Sequence, residues 1–120
     1  MFPKIINKKD IGSRAEINAC NFLQRNGLKL LTKNYYCRHG EIDLIMNDNE
    51  VIVFIEVRYR KNHLYGDAKE SITVHKQKKI RTTALHYMQS KSEQHEARFD
   101  VIAITGEGSL QNFEWIKNAF

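Results

Sequence analysis

Asp43 and Glu56 are the residues with most chemistry to offer. Asp43 lies in Gly40-Glu41-Ile42-Asp43-Leu44-Ile45-Met46, where alternation puts Ile42, Leu44 and Met46 on one face. Glu56 lies in Val51-Ile52-Val53-Phe54-Ile55-Glu56-Val57-Arg58-Tyr59, the strongest strand pattern in the chain. That run is apolar on both faces at first, which places it at the centre of a sheet. Between the two runs, Asn47-Asp48-Asn49-Glu50 is a turn by composition. A four-residue loop pairs Met46 with Val51, and a tighter turn at Asp48-Asn49 keeps that register. Asp43 then faces Phe54. Glu56 becomes a diagonal neighbour at about 7–8 Å between backbones, and Arg58 shares the face. Two carboxylates side by side on an apolar sheet are costly unless a cation compensates them. A hard divalent ion, Mg²⁺ or Mn²⁺, held by carboxylates, water and a substrate phosphate, would do so. Two plainer readings stay open on the hairpin alone. Glu56 and Arg58 can form an exposed ion pair, with Asp43 a solvated acid near a turn. A one-residue slip would put Asp43 on the opposite face.

Glu16 offers a third carboxylate. Ser13-Arg14-Ala15-Glu16 fits a capping box, which alone would explain it. At about 100° per residue, however, Glu16 lies roughly 20° from Leu23, at the margin of a buried stripe of Ala15, Ala19, Phe22 and Leu23. The cap and a metal role are compatible. Lys76 precedes Ile80 by one helical turn, so its ammonium can reach back toward the sheet. Lys78 and Lys79 face outward and suit phosphate contacts, and Gln77 can orient a base or a water. An ordinary surface turn is the alternative for these four.

These side chains need a particular set of elements to hold them. A helix is expected from Gly12 to Asn26, stopped by Gly27. Strands follow over Leu28–Arg38, Gly40–Met46 and Val51–Tyr59. After a loop around Gly66 comes a helix over Thr73–Ser90 with a stripe of Ile80, Ala84, Tyr87 and Met88, then a strand over Ala97–Thr105. The last ten residues, with Phe113, Trp115 and Ile116, fit an edge strand or a short helix. The order α-β-β-β-α-β implies an α/β fold, a mixed central sheet flanked by helices, with residues 1–120 in one domain.

Composition narrows the rest. With 120 residues, 42% hydrophobic and 28% charged, the chain can bury one modest core, which excludes fibres and disordered tails. No apolar run nears the roughly 18–20 residues that span a bilayer, and Met1 to Asp10 lacks a signal-peptide pattern. Two cysteines make no disulfide framework, five histidines show no zinc spacing, and no glycine-rich phosphate loop occurs. The expectation is a cytoplasmic protein with no membrane partner. The formal charge is +5, yet Arg58 to Arg81 alone carries eight bases against two acids. The whole basic excess is in that segment, which would attract a polyanion, DNA above all. Its expected nucleic-acid contacts are Arg60, Lys61, Lys69, Gln77, Lys78, Lys79 and Arg81. A solvated lysine-rich face is the plainer reading.

Gly40-Glu41-Ile42-Asp43-Leu44-Ile45, then Phe54-Ile55-Glu56-Val57-Arg58-Tyr59-Arg60, Lys76-Gln77 and Arg98-Phe99-Asp100 together resemble the YraN family of small bacterial proteins. The resemblance runs from about Gly12 to Phe120. It implies a restriction-endonuclease-like core (αβββαβ), similar to archaeal Holliday junction resolvases and other PD-(D/E)xK nucleases. On that resemblance Asp43 matches the motif aspartate, Glu56 the (D/E) of (D/E)xK, and Glu16 the helix glutamate of the resolvase branch. Asp43, Glu56 and the Val57 carbonyl would hold Mg²⁺ or Mn²⁺ for endonucleolytic cleavage of branched or flapped DNA in recombination, transformation or repair. The chain departs from the motif at Arg58, where lysine is expected. Arginine stays charged in proteins, so it can clamp a phosphate or orient water but cannot serve as a neutral amine. Lys76 is the substitute if one is needed. A homodimer is expected of a resolvase, because two strands must be cut. The competing expectations are a non-catalytic nucleic-acid-binding domain and an accessory of a helicase or recombination partner.

Overall fold

The computed structural model describes residues 8–60, 72–91 and 95–120. Helix α1 (Lys8–Arg25) leads into β1 (Lys29–Cys37), β2 (Gly40–Asp48) and β3 (Val51–Arg60). Helix α2 (Val74–Gln89), β4 (Ala97–Thr105) and β5 (Asn112–Ile116) follow. The five strands form one mixed sheet in the order β1-β2-β3-β4-β5. Only β3 and β4 pair in parallel, and α2 lies between them in the chain, as a parallel neighbour requires a crossover.

The two helices cover opposite faces. On one, Ile80, Ala84 and Tyr87 of α2 pack with Ile52, Phe54, Val101 and Ala103. On the other, Ala15, Ala19, Cys20 and Leu23 of α1 pack with Val53, Ile55, Ile102 and Ile104. Both parities of β3 and β4 are therefore buried, which explains their unbroken apolar runs. Among the described residues, no helix is long and apolar enough to cross a membrane.

Three expectations need correction. Helix α1 begins at Lys8, four residues before Gly12. Ser13 is therefore inside the helix and cannot cap it, so Glu16 is not part of a capping box. Next, the hairpin ladder runs two residues further than expected, to Asp48–Val51, and turns on Asn49 and Glu50. Both have positive φ (48° and 72°), the left-handed pair of a two-residue hairpin, and Asn47 Oδ1 accepts the Glu50 N–H at 2.9 Å. Asp43 therefore comes opposite Glu56 and not Phe54. Finally, Ile42 does not share a face with Leu44 and Met46. It packs on the α2 side and they pack on the α1 side, so the alternation breaks at Asp43.

The open question of the tail resolves as a strand. β5 pairs antiparallel with β4, and a fully buried carboxylate fastens it. Asp100 accepts from Trp115 Nε1 (2.9 Å), from the Asn118 N–H (3.1 Å) and from the Arg98 guanidinium (2.9 Å at Nε). Arg98 continues to Asp48 at 3.0 Å, linking the tail to the β2–β3 turn. Phe120 stacks on Phe99 with centroids 5.3 Å apart.

Candidate active site

The break at Asp43 makes the site. The β2–β3 ladder extends only as far as Leu44–Ile55. Beyond it the Val57 N–H donates to Asp43 Oδ2 at 2.8 Å, so a side chain takes a donor aimed at the neighbouring strand. In an antiparallel pair the N–H and C=O of a residue point to the same neighbour. The Val57 carbonyl is thus directed to the Asp43 side as well. On β1 the residue between the Lys33–Leu44 and Tyr35–Ile42 pairs is Asn34, held at φ 50°. Left-handed backbone is accessible to asparagine, and outliers of this kind gather where a site must be shaped.

Asn34 sits among acids. With its amide oriented to donate, Nδ2 reaches Glu16 Oε2 at 3.0 Å and Glu41 Oε1 at 3.2 Å. One carboxylate oxygen each from Glu16, Glu41 and Asp43 lie within 4.8 Å of one another. Burial, first, and the neighbouring Glu41 and Glu56 raise the Glu16 carboxyl, against hydrogen bonds from Asn34 and Asp43. Burial pushes Asp43 up to about 8, reinforced by Glu56 and then Glu16, while the Val57 N–H and Lys76 oppose the rise. Crowded, partly desolvated carboxylates of this kind are relieved by a cation. Three carboxylate oxygens are the donor type that a hard divalent cation takes.

Glu56 is buried on the α2 face of β3, and Lys76 Nζ lies 2.6 Å from its Oε1. The expected reach of Lys76 toward the sheet is therefore present. Thr73 caps α2 by accepting the Lys76 N–H at 3.1 Å, which fixes the turn that carries this lysine. Thr73→Ala is expected to cost about 1 kcal/mol, measurable as a lowered midpoint in urea. Arg58 shares the Glu56 face but stands off, with Nη2 at 3.9 Å from Oε1. Its Nε is buried with no hydrogen-bond partner among the described residues. Gly40, Glu41, Asp43, Glu56, Lys76 and Lys79 line one open cleft of about 310 Å³.

The expected nucleic-acid contacts are dispersed. Lys78 and Lys79 are exposed on α2, and Lys79 reaches the cleft. Arg81 is stacked over Phe99, with Cζ 4.8 Å from the ring centroid. Gln77 donates to the Ile72 carbonyl at 3.1 Å, and Arg60 Nη1 to the Tyr59 carbonyl at 3.3 Å. Lys61 and Lys69 lie outside the described residues. Sequence reasoning missed Glu41 and Asn34. Glu41 carried a signal, being part of the same acidic run as Asp43. Asn34 carried a weaker one, a poor strand former amid a strand.

Residues 15–104 match the family described as Uncharacterised protein family UPF0102. A UPF0102 protein of Nitrosococcus oceani is 48% identical over 114 residues, covering 93% of this chain and 92% of that protein. One from Nitrosomonas eutropha is 51% identical over 112 residues, 93% and 94% of the two chains. A third, from Psychromonas ingrahamii, is 50% identical over 109 residues, 91% and 88%.

Proposed function

The chain belongs to the UPF0102 (YraN) family, and from that footing we propose that it is a divalent-metal-dependent endonuclease acting on branched or flapped DNA. One observation carries the reading: Glu16, Glu41 and Asp43 bring carboxylate oxygens within 4.8 Å of one another where β2 leaves β3, beside the Glu56–Lys76 pair. The αβββαβ order and the acids on two adjacent central strands agree with a restriction-endonuclease-like core.

When bound, a hard divalent ion would supply a more acidic water and stabilise the charge that builds on the phosphoryl oxygens during in-line displacement. Asp43, with Glu16 and Glu41, would hold it, and the Val57 carbonyl is available on the same side. Glu56 gives one oxygen to Lys76 and has a second to offer the ion. Lys76, partly exposed at the cleft, is suited to meet the scissile phosphate. Arg58 cannot act as a neutral amine, and its Nε, without a hydrogen-bond partner among the described residues, suits a phosphate oxygen brought by substrate. The break in the β2–β3 ladder, the crowded carboxyls and the cationic rim thus contribute to one task.

A second reading, a non-catalytic nucleic-acid-binding domain working with a helicase or recombination partner, is favoured by arginine at position 58. The two are separated by mixing the protein with a labelled four-way junction, a flap and a linear duplex, each with Mg²⁺, Mn²⁺ or EDTA. The endonuclease reading expects metal-dependent cuts in the branched substrates. Binding without cuts under either metal favours the second reading.

A further inference from the structure

The tip of the β1–β2 hairpin is basic and tightly held. Cys37 pairs with Gly40 across a two-residue turn formed by Arg38 and His39. Gly40 has φ +148°, and a Cβ there would come within 3.2 Å of Thr83 Oγ1 and 4.0 Å of Lys79 Cβ. The hairpin can therefore press on α2 more closely than a side chain would allow. Thr83 is fully buried and donates to the Lys79 carbonyl at 2.8 Å, which anchors that turn of the helix. Within the tip, the His39 N–H donates to Cys37 Sγ and Arg38 Nε donates to His39 Nε2, each at 3.4 Å.

The cations here differ from those deeper in the protein. Lys76 and Arg58 stand against Glu56, and Arg98 against Asp48 and Asp100. Arg38 and Lys79 are exposed, and among the described residues neither meets a carboxylate. Gly40 and Lys79 nonetheless line the same cleft as Asp43 and Glu56. Lys79 puts a cation on the wall of a cleft with an acidic floor, and Arg38 lies two residues from Gly40, another residue of that wall. Such an edge is matched by a ligand with alternating needs: a phosphate at the floor, held through metal, and a second phosphate at the edge.

Resting on the endonuclease reading, we infer that Arg38 and Lys79 form a second phosphate station, which binds the phosphate next to the one presented to the carboxylates. A polynucleotide fills both positions, whereas a mononucleotide or phosphomonoester fills one. The station thus sets the substrate class as a chain of phosphodiesters. Arginine suits it because its planar fork can take two oxygens of one phosphate.

The test is fluorescence anisotropy with a labelled short duplex and its single strand over a range of salt concentrations. Ca²⁺ replaces Mg²⁺ so that strands stay intact. Arg38→Gln and Lys79→Gln are compared with wild type and with Arg38→Lys, each checked by thermal melting. Each glutamine variant is expected to bind several-fold more weakly and to lower the salt slope by about 0.7–0.9, the loss of one phosphate contact. Arg38→Lys should retain the slope. Wild-type binding with slopes unchanged in both glutamine variants would overturn this inference and leave the endonuclease reading intact. A wild-type protein that neither binds nor cuts nucleic acid would overturn both.

Discussion

Asp43→Asn is expected to melt at a higher temperature than wild type at pH 8 without metal, and to cleave at least ~10³-fold more slowly with it. Both effects have one cause. Burial, then Glu56 and Glu16, push the Asp43 carboxyl from its ordinary 3.8 up to about 8. An acid raised in the fold favours the protonated state, so its contribution to stability is complete below about pH 4 and is lost as pH rises to about 8. The loss is on the order of 2 kcal/mol, or about 8 °C in Tm. Asparagine removes the charge while keeping an acceptor for the Val57 N–H. Wild type should therefore lose stability over that pH range and regain it on adding Mn²⁺, whereas the variant should lose less, through the raised Glu16 carboxyl that remains, and gain little from the ion. Thermal melts from pH 4 to pH 9, with and without Mn²⁺, measure this. A variant that melts lower than wild type at every pH would contradict it.

Lys76→Met carries the second large effect. Its ammonium is 2.6 Å from a carboxylate whose side chain is only 8% exposed, so methionine leaves Glu56 buried without its nearest cation. The expected loss is about 1–3 kcal/mol of stability and roughly 10²-fold in cleavage rate. Arg58→Met is the informative comparison. Arg58 stands 3.9 Å from Glu56, and its buried Nε has no hydrogen-bond partner among the described residues, so its removal should cost little stability. Urea melts and single-turnover cleavage of the two variants separate their roles. If Arg58→Met proves the more damaging in both assays, the motif position, and not the helix, supplies the working cation.

The legible parts of this molecule were those set by periodicity. Alternating and double-faced apolar runs gave the strands, the stripe through Ile80, Ala84 and Tyr87 gave α2, and the turn before Ile80 gave Lys76 its direction. Parity also kept Asp43 near Glu56 even though the expected pairing was two residues off. The misreadings lie where the backbone departs from its period. Asn34 and Asp43 interrupt both strands at one level, so Ile42 turns to the other face and Glu41 joins the acids, which no alternation rule foresees. The tail was ambiguous because its decisive partner, Asp100, is eighteen residues before Asn118 and is recognised only when β4 and β5 lie side by side. Helix α1 extends back to Lys8, beyond the expected start at Gly12, and Ser13 and Glu16, whose spacing fits a capping box, are interior to it.

The central claim is that the Asp43 cluster holds the ion on which cleavage depends. Free Mn²⁺, read from its electron paramagnetic resonance signal during titration, tests it without relying on the choice of DNA. Wild-type protein at pH 8 should remove Mn²⁺ from solution in proportion to chain concentration, and Asp43→Asn should leave it free. Equal uptake by both proteins, or none by wild type, would contradict the account.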